Sequence, residues 1–466
     1  MDDKQLVMAE KAKAGSLDVP YHCYLIDASW ADVVFAFKES TYPSLGREKI
    51  LQMIHKQWTR PENPNYVLPC LCVRSGFDLY LRVMKYPPGS EIIMSAISIP
   101  DMAVIIKHHG LRPVPIDVCA ETLGPKVDVL ESLITEKTVA VLVAHIYGKW
   151  FKMEDIIRIS HLHKLHVLED CAEGFHGLQN VGHPESDLAF FSFGVIKVSS
   201  AFGGGIVKIR DAKLYNSMRE FHALYPMQSD SEYLKKVAKY ALVLTVSNDM
   251  SEQMTKYTKQ TLQALDIDYK QVFQQMLKGF PNEMINKIRH QPSTVLLYMV
   301  HRRVANFDIR TCEMTNKKST YVKDRLPSCV GLIGTKAEIQ NHWLFPILVH
   351  NPKEVCTELN KLGVDAFQGS TSLSVIEPSN GNNIINYLSD LITHYPKEAK
   401  FILDHVLYLP VHRQVPYHHL DRIILAMELV MNKLAYEKFC IPQFDSEQMF
   451  VKDSPSKKVP HKMSKL

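Results

Sequence analysis

The feature that most constrains this chain is a regular alternation of short apolar runs and amphipathic stretches between residues 66 and 210. Apolar runs of strand length lie at 66–73, 91–97, 113–118, 138–146, 165–168, 188–193 and 205–209. Helical patterns separate most of them, at 77–84, 102–109, 127–135 and 153–163. Because the apolar runs are almost continuous, they predict strands that are buried on both faces. The sequence therefore predicts an α/β fold with a mostly parallel sheet covered by helices.

The flanking regions have a different character. Helical patterns dominate 211–308, with amphipathic stretches at 233–246 and 269–278. Strands and helices alternate again near the end, at 342–349, 352–361, 406–409 and 420–434. These changes divide the chain into an N-terminal arm (1–60), a large domain (61–210), a helical insert with a linker (211–337), a smaller C-terminal α/β domain (338–440) and a tail expected to be disordered (441–466).

The composition narrows the classes of function. The 466 residues suffice for two or three domains with a sizeable core, and 46% of them are hydrophobic. A formal net charge of +4 gives no argument for a nucleic-acid partner, and no apolar run approaches the roughly 18 residues of a membrane span. The nine cysteines include no Cys-x-x-Cys pair and no Cys/His spacing typical of zinc, so we expect free thiols and no metal site.

Two side chains with chemical potential follow buried runs. Asp170 ends the strand that begins near residue 165, and Lys197 follows an apolar, aromatic run. Ligands of open α/β sheets bind outside the carboxyl ends of the strands. Chemistry based on pyridoxal 5'-phosphate (PLP) needs an amine for a Schiff base and a carboxylate at the pyridine nitrogen. Residue types and spacing alone nevertheless favour a structural interpretation, in which Asp170 caps a turn and Lys197 reaches solvent.

A resemblance reverses that preference, because a series of short motifs occurs in one order. They are Ser75-Gly76-Phe77-Asp78-Leu79, Pro88-Gly89-Ser90-Glu91-Ile92-Ile93, His145-Ile146-Tyr147-Gly148, Glu169-Asp170-Cys171-Ala172-Glu173, Phe191-Ser192-Phe193-Gly194-Val195-Ile196-Lys197 and Leu407-Tyr408-Leu409-Pro410-Val411-His412. Together they resemble the DegT/DnrJ/EryC1/StrS aminotransferase family, in register from about residue 72 to 210 and more weakly near 342–430. The resemblance implies PLP fold type I, as in aspartate aminotransferase, with a seven-stranded sheet and a site built at a homodimer interface.

The resemblance also implies roles for individual residues. Lys197 would bind the cofactor and shuttle protons, and Asp170 would pair with the pyridine nitrogen. Ala172 would pack on one face of the ring, and Ser192 would bind the phosphate. The phosphate would also meet the helix N-terminus formed by Ser75, Gly76 and Phe77, where backbone amides favour an anion.

Three positions depart from the family pattern. Phe77 replaces a phosphate-binding threonine, so only its backbone amide would contact the phosphate. Ile99 aligns with an aromatic residue that stacks on the ring, so it would make an aliphatic contact instead. Glu173 replaces a glutamine near the cofactor and adds a carboxylate there. These departures leave the type of cofactor unchanged and bear mainly on affinity and substrate.

Two histidines could contact a substrate. His145 ends a strand at the expected mouth of the site, and a structural role is equally compatible with its position. His412 follows the late Leu-Pro motif, and we weigh a place in the cleft against a structural role there as well.

The function implied is transfer of an amino group from a donor such as glutamate to a keto acceptor, which in this family is usually a keto sugar linked to a nucleotide. The alternative is a PLP-type fold retained as a binding or regulatory protein without turnover. The terminal Ser464-Lys465-Leu466 is a peroxisomal import address, so we expect recognition by the import receptor and a peroxisomal rather than cytoplasmic location.

Overall fold

The computed structural model describes residues 17–59, 66–247, 283–368, 372–378, 395–436 and 438–442. In chain order the strands are β1 (Tyr66–Cys70), β2 (Glu91–Ser95), β3 (Ile97–Ser98), β4 (Arg112–Ile116), β5 (Thr138–Ala144), β6 (Lys149–Trp150), β7 (His166–Asp170), β8 (Leu188–Ser192), β9 (Gly205–Ile209), β10 (Ile339–Gln340), β11 (Phe345–Leu348), β12 (Ser374–Val375) and β13 (Val406–Leu409).

The same ranges also contain α-helices. They are α1 (Trp30–Thr41), α2 (Arg47–Trp58), α3 (Val73–Met84), α4 (Pro100–His108), α5 (Val127–Leu130), α6 (Glu154–Leu162), α7 (Ala212–Ala223), α8 (Asp230–Ser247), α9 (Met284–Ile288), α10 (Thr294–Ala305), α11 (Arg310–Lys323), α12 (Pro352–Lys361), α13 (Lys397–His405) and α14 (Tyr417–Leu434). The predicted helix at 269–278 lies outside the described residues.

A seven-stranded sheet forms the centre, in the order β1-β9-β8-β7-β5-β2-β4. The five strands from β8 to β4 run parallel, whereas β9 is antiparallel to both of its neighbours. The predicted mostly parallel sheet is therefore confirmed. The two sequence-distant strands β1 and β9 close one side of the sheet by pairing Tyr66 with Ile209 and Cys70 with Gly205.

Alternating residues along the strands face two different helical layers. Leu188 and Phe190 of β8 pack with the cluster that includes α3, α4 and α7, while Ala189 and Phe191 pack on the opposite side. This period of two, with both faces apolar, follows from a pleated strand buried between layers. The strand β8 is therefore fully inside the molecule, and the loop that follows it emerges beside the sheet edge.

The N-terminal helices complete the second layer. Helix α10 packs against both α1 and α2, and α8 packs against α1. Their buried faces carry Val33 and Ala36 in α1, and Ile50 and Ile54 in α2, at helical spacing. Residues assigned from the sequence to an arm and to an insert thus form one helical layer on the sheet.

A smaller α/β unit follows, as predicted. The antiparallel strands β11 and β13 pair, and α12 and α14 pack with them around an apolar cluster. The N-terminal segment joins this unit, because the amides of Leu17 and Val19 donate to the carbonyls of Leu362 and Gly363. The domain boundaries themselves stay predictions. Among the described residues, no helix combines the length and apolar character needed to cross a membrane.

Candidate active site

The carboxyl ends of three neighbouring parallel strands define the candidate site. In the registers of β5, β7 and β8, Ala144 lies opposite Asp170, and Asp170 lies opposite Phe190. The three strands therefore end at nearly the same level, and the segments that follow them meet at one edge of the sheet. This is the edge at which open α/β sheets bind ligands.

The loop between β8 and β9 carries Lys197. Its two ends are fastened together, because the carbonyl of Phe193 accepts hydrogen bonds from the amides of Ala201 and Gly203. Within the loop, the amide of Lys197 donates to the carbonyl of Gly194 and closes a turn. Backbone hydrogen bonds therefore hold the chain on both sides of Lys197, so this residue does not lie on a free loop.

The amine of Lys197 faces two partners. Its Nζ lies 3.1 Å from Oε1 of Glu173 and 4.1 Å from the centre of the Trp343 ring. Only 17% of the lysine side chain is exposed. The amine is thus held by an ion pair on one side and shielded by an aromatic face on the other, which also favours a cation.

Asp170 occupies the last position of β7 and is buried. Its Oδ1 accepts a hydrogen bond of 3.0 Å from the amide of Ala172. Burial raises the pKa of Asp170 to about 6, although that hydrogen bond and the charge of Lys197 act in the opposite direction. A buried carboxylate is suited to hold a proton on a ligand's ring nitrogen.

Glu173 connects Lys197 to the loop after β5. While its Oε1 faces Lys197, its Oε2 accepts a hydrogen bond of 2.9 Å from the amide of Tyr147. Tyr147 and Gly148 both have left-handed backbones, with φ of 56° and 75°. A Cβ at Gly148 would lie 1.6 Å from the carbonyl oxygen of Asn341, so only glycine allows this close approach.

Ser192 lies next to Lys197. Its Oγ accepts a weak hydrogen bond of 3.4 Å from the amide of Gly194. A Cβ on Gly194 would lie within 3.5 Å of that Oγ and within 3.8 Å of Lys197 Cγ, so both side chains border the same space. Ala172 and Ile99 are partly buried and pack against the apolar cluster around β8 and α3.

The residues predicted to start the phosphate-binding helix lie inside α3 rather than at its first residue. Helix α3 begins at Val73 after Cys72, so Ser75 is in the first turn and Gly76 already donates its amide to the carbonyl of Cys72. Phe77 is fully buried and meets the edge of Phe190 in the core. The first helical amides, at the same sheet edge as Lys197, are thus the ones available to an anion, and the roles of these residues stay predictions.

His145 is 1% exposed and does not line the cleft that contains Lys197. Its ring stacks on Trp150 and Phe151 at 4.2 and 4.3 Å, and its Nε2 is 3.0 Å from Oε2 of Glu169. Burial raises the pKa of Glu169, but the hydrogen bond and charge of His145 outweigh it and lower the pKa. The Cys171 thiol is near enough for a shared metal ion, but burial raises its pKa well above the usual value. The arrangement is therefore a buried hydrogen-bonded pair behind Asp170.

His412, by contrast, lines the same cleft as Lys197. It lies 3.1 Å, through Nε2, from the carbonyl oxygen of His22. Burial, reinforced by the charges of Arg413 and Lys318, lowers the pKa of His412 to about 3. The ring is neutral at physiological pH, and its Nε2 hydrogen is committed to the N-terminal segment.

The cleft residues that sequence reasoning missed include Asp27, Trp343 and Arg413. Asp27 accepts hydrogen bonds from the amide of Ser199 at 2.7 Å and from Arg413 at 2.7 Å, and Arg303 lies 3.2 Å away. The one sign of Arg413 in the sequence is that it directly follows the motif residue His412. Trp343 and Asp27 reach the site only through tertiary folding.

A second unusual lysine lies behind the cleft wall. Lys149 is 2% exposed, and its Nζ is 3.1 Å from Oε1 of Gln340 and 3.4 Å from Nε2 of His342. Within the described ranges it has no carboxylate at ion-pair distance. Burial, together with the charge of Lys323, lowers the pKa of Lys149 to about 7. Lys149 is therefore a rival to Lys197 for any reagent that attacks neutral amines.

Comparison with known proteins places the chain in a family. The profile of the DegT/DnrJ/EryC1/StrS aminotransferase family matches residues 69–323, which is more than half of the chain. The chain belongs to this family. The matched DegT/DnrJ/EryC1/StrS region includes Asp170, Glu173 and Lys197, whereas Trp343, His412 and Arg413 lie beyond it.

Individual relatives in the DegT/DnrJ/EryC1/StrS family are matched over shorter stretches. A UDP-4-amino-4-deoxy-L-arabinose–oxoglutarate aminotransferase of Shewanella sediminis is 32% identical over 154 residues, covering 32% of this chain and 39% of that protein. A GDP-perosamine synthase of Escherichia coli O157:H7 is 31% identical over 162 residues, covering 34% of this chain and 44% of that protein. The match thus spans less than half the length of these two curated relatives.

Solved structures agree over a larger part of the chain. A putative sugar aminotransferase of Streptococcus pneumoniae in its PLP form superposes with a TM-score of 0.61 at 16% identity, covering 90% of this chain and 99% of that chain. The aminotransferase PseC of Helicobacter pylori, involved in the biosynthesis of pseudoaminic acid, gives a TM-score of 0.61 at 15% identity, covering 88% and 99%. At these identities the likeness establishes the fold, which is the one predicted for the DegT/DnrJ/EryC1/StrS family.

Proposed function

We propose that the protein is a PLP-dependent aminotransferase that moves an amino group from an amino donor to a keto acceptor. The observation that carries the proposal is the placement of the Lys197 amine and the buried Asp170 carboxylate at one sheet edge, in a chain that belongs to an aminotransferase family. An amine and a carboxylate are the two groups that hold opposite ends of this cofactor.

The residues present fit the cofactor. Lys197 would bind its aldehyde, Asp170 its pyridine nitrogen, and Ser192 together with the first amides of α3 its phosphate. Ala172 and Ile99 supply apolar contacts for the ring. When bound, the cofactor supplies an electron sink for the carbanion that forms on the substrate.

The protein's own contribution is the control of protons. Asp170 would keep a proton on the ring nitrogen, because its buried carboxylate gains most from a cationic partner. Lys197 Nζ would move protons at the substrate carbon, since backbone hydrogen bonds of the loop hold its Cα in place. Glu173 holds the charge of that amine in place, and Trp343 keeps bulk water off one side of it.

For the acceptor we propose a keto sugar or a sugar nucleotide. The names of similar family members, among them a GDP-perosamine synthase and a UDP-4-amino-4-deoxy-L-arabinose–oxoglutarate aminotransferase, support this class. The cleft also offers hydroxyl and amide groups from Thr311, Thr315 and Asn341, which suit a sugar with many hydroxyls. A carboxylate-bearing donor such as glutamate would be attracted by Arg413 at the same cleft.

A second candidate is a binding or regulatory protein that holds the cofactor without turnover. The observation that favours it is the ion pair between Glu173 and Lys197, because a charged amine cannot attack an aldehyde until it loses a proton. In that case the protein would bind the cofactor, yet no amino donor would change the cofactor's absorbance spectrum.

The test is reductive trapping. The protein is incubated with PLP, treated with borohydride and digested, and the peptides are analysed by mass spectrometry. We expect a reduced pyridoxyl adduct on Lys197. The variant Lys197→Arg should carry no adduct, whereas Lys149→Arg, which removes the rival buried amine, should be labelled like the wild type. An adduct on Lys149 alone, or on neither lysine, would contradict the proposal.

Turnover is tested separately by half-reactions. The PLP spectrum is followed while amino donors are added, and candidate keto sugars are then offered to the aminated form. A donor-dependent loss of the aldehyde band that a keto sugar reverses is the expected result. Asp170→Asn should retain the adduct but lose at least about a hundredfold in rate, because the ring nitrogen loses its charged partner.

We further propose a homodimer. An exposed apolar stripe on α1 supports it, since Trp30, Val34 and Phe37 lie on one helical face and are 43%, 64% and 43% exposed. Sedimentation should give twice the mass of one chain. The variant Val34→Glu is expected to shift the equilibrium toward the monomer, while Lys38→Glu on the same helix should not.

Peroxisomal import is a further proposal, supported by Ser464-Lys465-Leu466, which lies outside the described residues. A fluorescent protein that carries residues 441–466 should accumulate in peroxisomes. The same fusion with Leu466→Asp should remain diffuse. If both fusions remain diffuse, the result would argue for a cytoplasmic protein.

A further inference from the structure

An open cavity lies at the opposite edge of the sheet from Lys197. It has a volume of about 330 Å³ and is bordered by the ends of α3 and α4 and by the start of β4. The chain enters β2 and β4 at this edge, whereas Lys197 follows the point where β8 ends. The cavity is therefore separate from the candidate active site. Its notable side chains are Arg82, Lys85, His108, His109, Phe221 and Arg289.

Five of these six side chains are basic, and one acid balances part of their charge. Asp78, which is fully buried, accepts hydrogen bonds of 2.9 Å from Nε and Nη2 of Arg289, and its Oδ1 is 2.9 Å from Nε2 of His109. Burial raises the pKa of Asp78, but these partners outweigh it and lower the pKa to about 2. Asp78 thus orients Arg289. Within the described ranges, Nη1 of Arg289 has no hydrogen-bond acceptor.

The other two strong cations have no acid at ion-pair distance in the described parts of the chain. The guanidinium carbon of Arg82 lies 5.2 Å from the ring centre of Tyr225 and 6.0 Å from that of Phe221. Lys85 Nζ lies 5.7 Å from the same Phe221 ring. Aromatic faces therefore hold these cations in position without neutralising them.

The electrostatic field of these cations also acts on the neighbouring His108. His108 Nε2 lies 3.2 Å from Nη2 of Arg289. Burial lowers the pKa of His108, and the charges of Arg289 and His109 lower it further, although Asp78 acts in the opposite direction. Helix dipoles at the ends of α3 and α4 explain basic residues such as Lys85 and His108. Arg289, at the C-cap of α9, is held by its ion pair with Asp78 and borders the same space.

We propose that this cavity binds a small ligand bearing phosphate, held by Arg82, Lys85 and Arg289. Guanidinium groups match the oxygens of a phosphate, and a lysine adds a point charge. The volume suits a small molecule, and the flanking Phe221 gives one apolar wall for the rest of that ligand. Free phosphate and a phosphate ester share the chemistry that the site recognises.

The test measures anion binding to protein that has first been saturated with PLP, so that any phosphate cradle near Lys197 is filled. Inorganic phosphate and pyrophosphate are titrated calorimetrically in low-chloride buffer. We expect saturable binding to the wild type and an affinity at least tenfold lower in Lys85→Glu. The control Lys107→Glu changes a nearby exposed lysine of α4 outside the cavity and should stay within about twofold of the wild type.

Arg82→Gln provides a second variant, because it removes one cation without reversing a charge and should weaken pyrophosphate binding at least fivefold. Circular dichroism and the PLP spectrum report whether each variant is folded, independently of anion binding. The proposal is overturned if the wild type shows no saturable binding. It is equally overturned if Lys85→Glu and Lys107→Glu bind alike, since the basic residues would then act only as helix-end charges or the anion would occupy another site.

Discussion

At the scale of single residues, the carboxylate of Glu173 is the most consequential departure from the family pattern. It lies 3.1 Å from Lys197 Nζ and forms an ion pair with that amine. Its second oxygen accepts a hydrogen bond from the amide of Tyr147, so the side chain cannot turn away without leaving that amide unpaired. Glu173 thus connects the loop after β5 to Lys197, the proposed nucleophile.

The first prediction concerns Glu173→Gln. The amide keeps a hydrogen-bond acceptor for Tyr147 but removes the ion pair that holds the Lys197 amine. PLP should therefore attach at least threefold faster at pH 7, which stopped-flow absorbance measures. Glu154→Gln, which changes an exposed acid on α6, should leave the attachment rate unchanged. Equal rates in Glu173→Gln and the wild type would contradict the prediction.

The second prediction concerns the buried Lys149. Its pKa is about 7 in the folded protein and 10.5 as an ordinary lysine, so the unfolded chain binds an extra proton between these values. Stability should therefore rise with pH across this window, and the full cost of burial is present below pH 7. Lys149→Met should stabilise the protein at pH 7 by roughly 2 kcal/mol, after allowing for its lost hydrogen bonds.

That gain should shrink as the pH rises from 7 toward 10.5, because the folded wild type then holds a neutral amine while its unfolded chain is still protonated. Urea unfolding at pH 7 and at pH 9.5 measures the difference, with Lys152→Met as the exposed control. A gain of equal size at both pH values would show that the lysine is not the origin of the effect.

Residue-level prediction from sequence was possible where chemistry and motif coincide. Lys197, Asp170 and Glu173 stand in short motifs, and the fold brings the three together. Trp343 and Asp27 carry no local sign, because their contacts with the lysine loop depend on how distant segments dock. From sequence alone, a tryptophan that follows a histidine is equally compatible with a buried position and with a surface position.

At the scale of elements, apolar runs predicted the strands well. The ranges 205–209, 352–361 and 406–409 coincide with β9, α12 and β13. The predicted strand at 342–349 begins only at Phe345, because His342 and Trp343 turn into the cleft instead of pairing. The two-residue strands such as β6 were missed, since pairing with β10 and not local pattern defines them.

The third prediction belongs to the turn between β5 and β6. Gly148 has a φ of 75°, and a Cβ there would lie 1.6 Å from the carbonyl oxygen of Asn341. Gly148→Ala must displace that backbone and should destabilise the protein by about 3 kcal/mol. Thermal unfolding measures the loss. Gly46→Ala is the control, since nothing lies within 4 Å of its added methyl group.

A melting temperature of Gly148→Ala within a degree of that of Gly46→Ala would show that the turn adapts. The turn also carries the amide of Tyr147 that binds Glu173, so a shift there should reach Lys197. The PLP spectrum of Gly148→Ala would report that second effect.

At the scale of the whole molecule, the N-terminal segment ties the sheet to the C-terminal unit. Leu17 and Val19 bond to the turn after α12, and Asp27 bonds to Ser199, Arg303 and Arg413. One short stretch thus touches the lysine loop, the helical layer and the smaller α/β unit. Sequence reasoning predicted both the sheet and the smaller unit. It could not predict these contacts of the N-terminal segment, because nothing in the sequence distinguishes Asp27 from another loop aspartate.

The fourth prediction is that Asp27→Ala loosens the lysine loop. Arg303 and Arg413 lose a shared acceptor, and the amide of Ser199 loses its partner. Hydrogen exchange within residues 193–204 should become at least tenfold faster, and PLP affinity should fall severalfold. Asp128→Ala, an exposed acid on α5, should change neither. Unchanged exchange in Asp27→Ala would mean that the loop is held by its own backbone bonds alone.

The hydrogen bonds of Leu17 and Val19 with Leu362 and Gly363 also constrain the order of events during synthesis. Leu17 and Val19 can take their places only after residues 362 and 363 have left the ribosome. A nascent chain should therefore assemble its central sheet before the start of the described N-terminal segment reaches its final position.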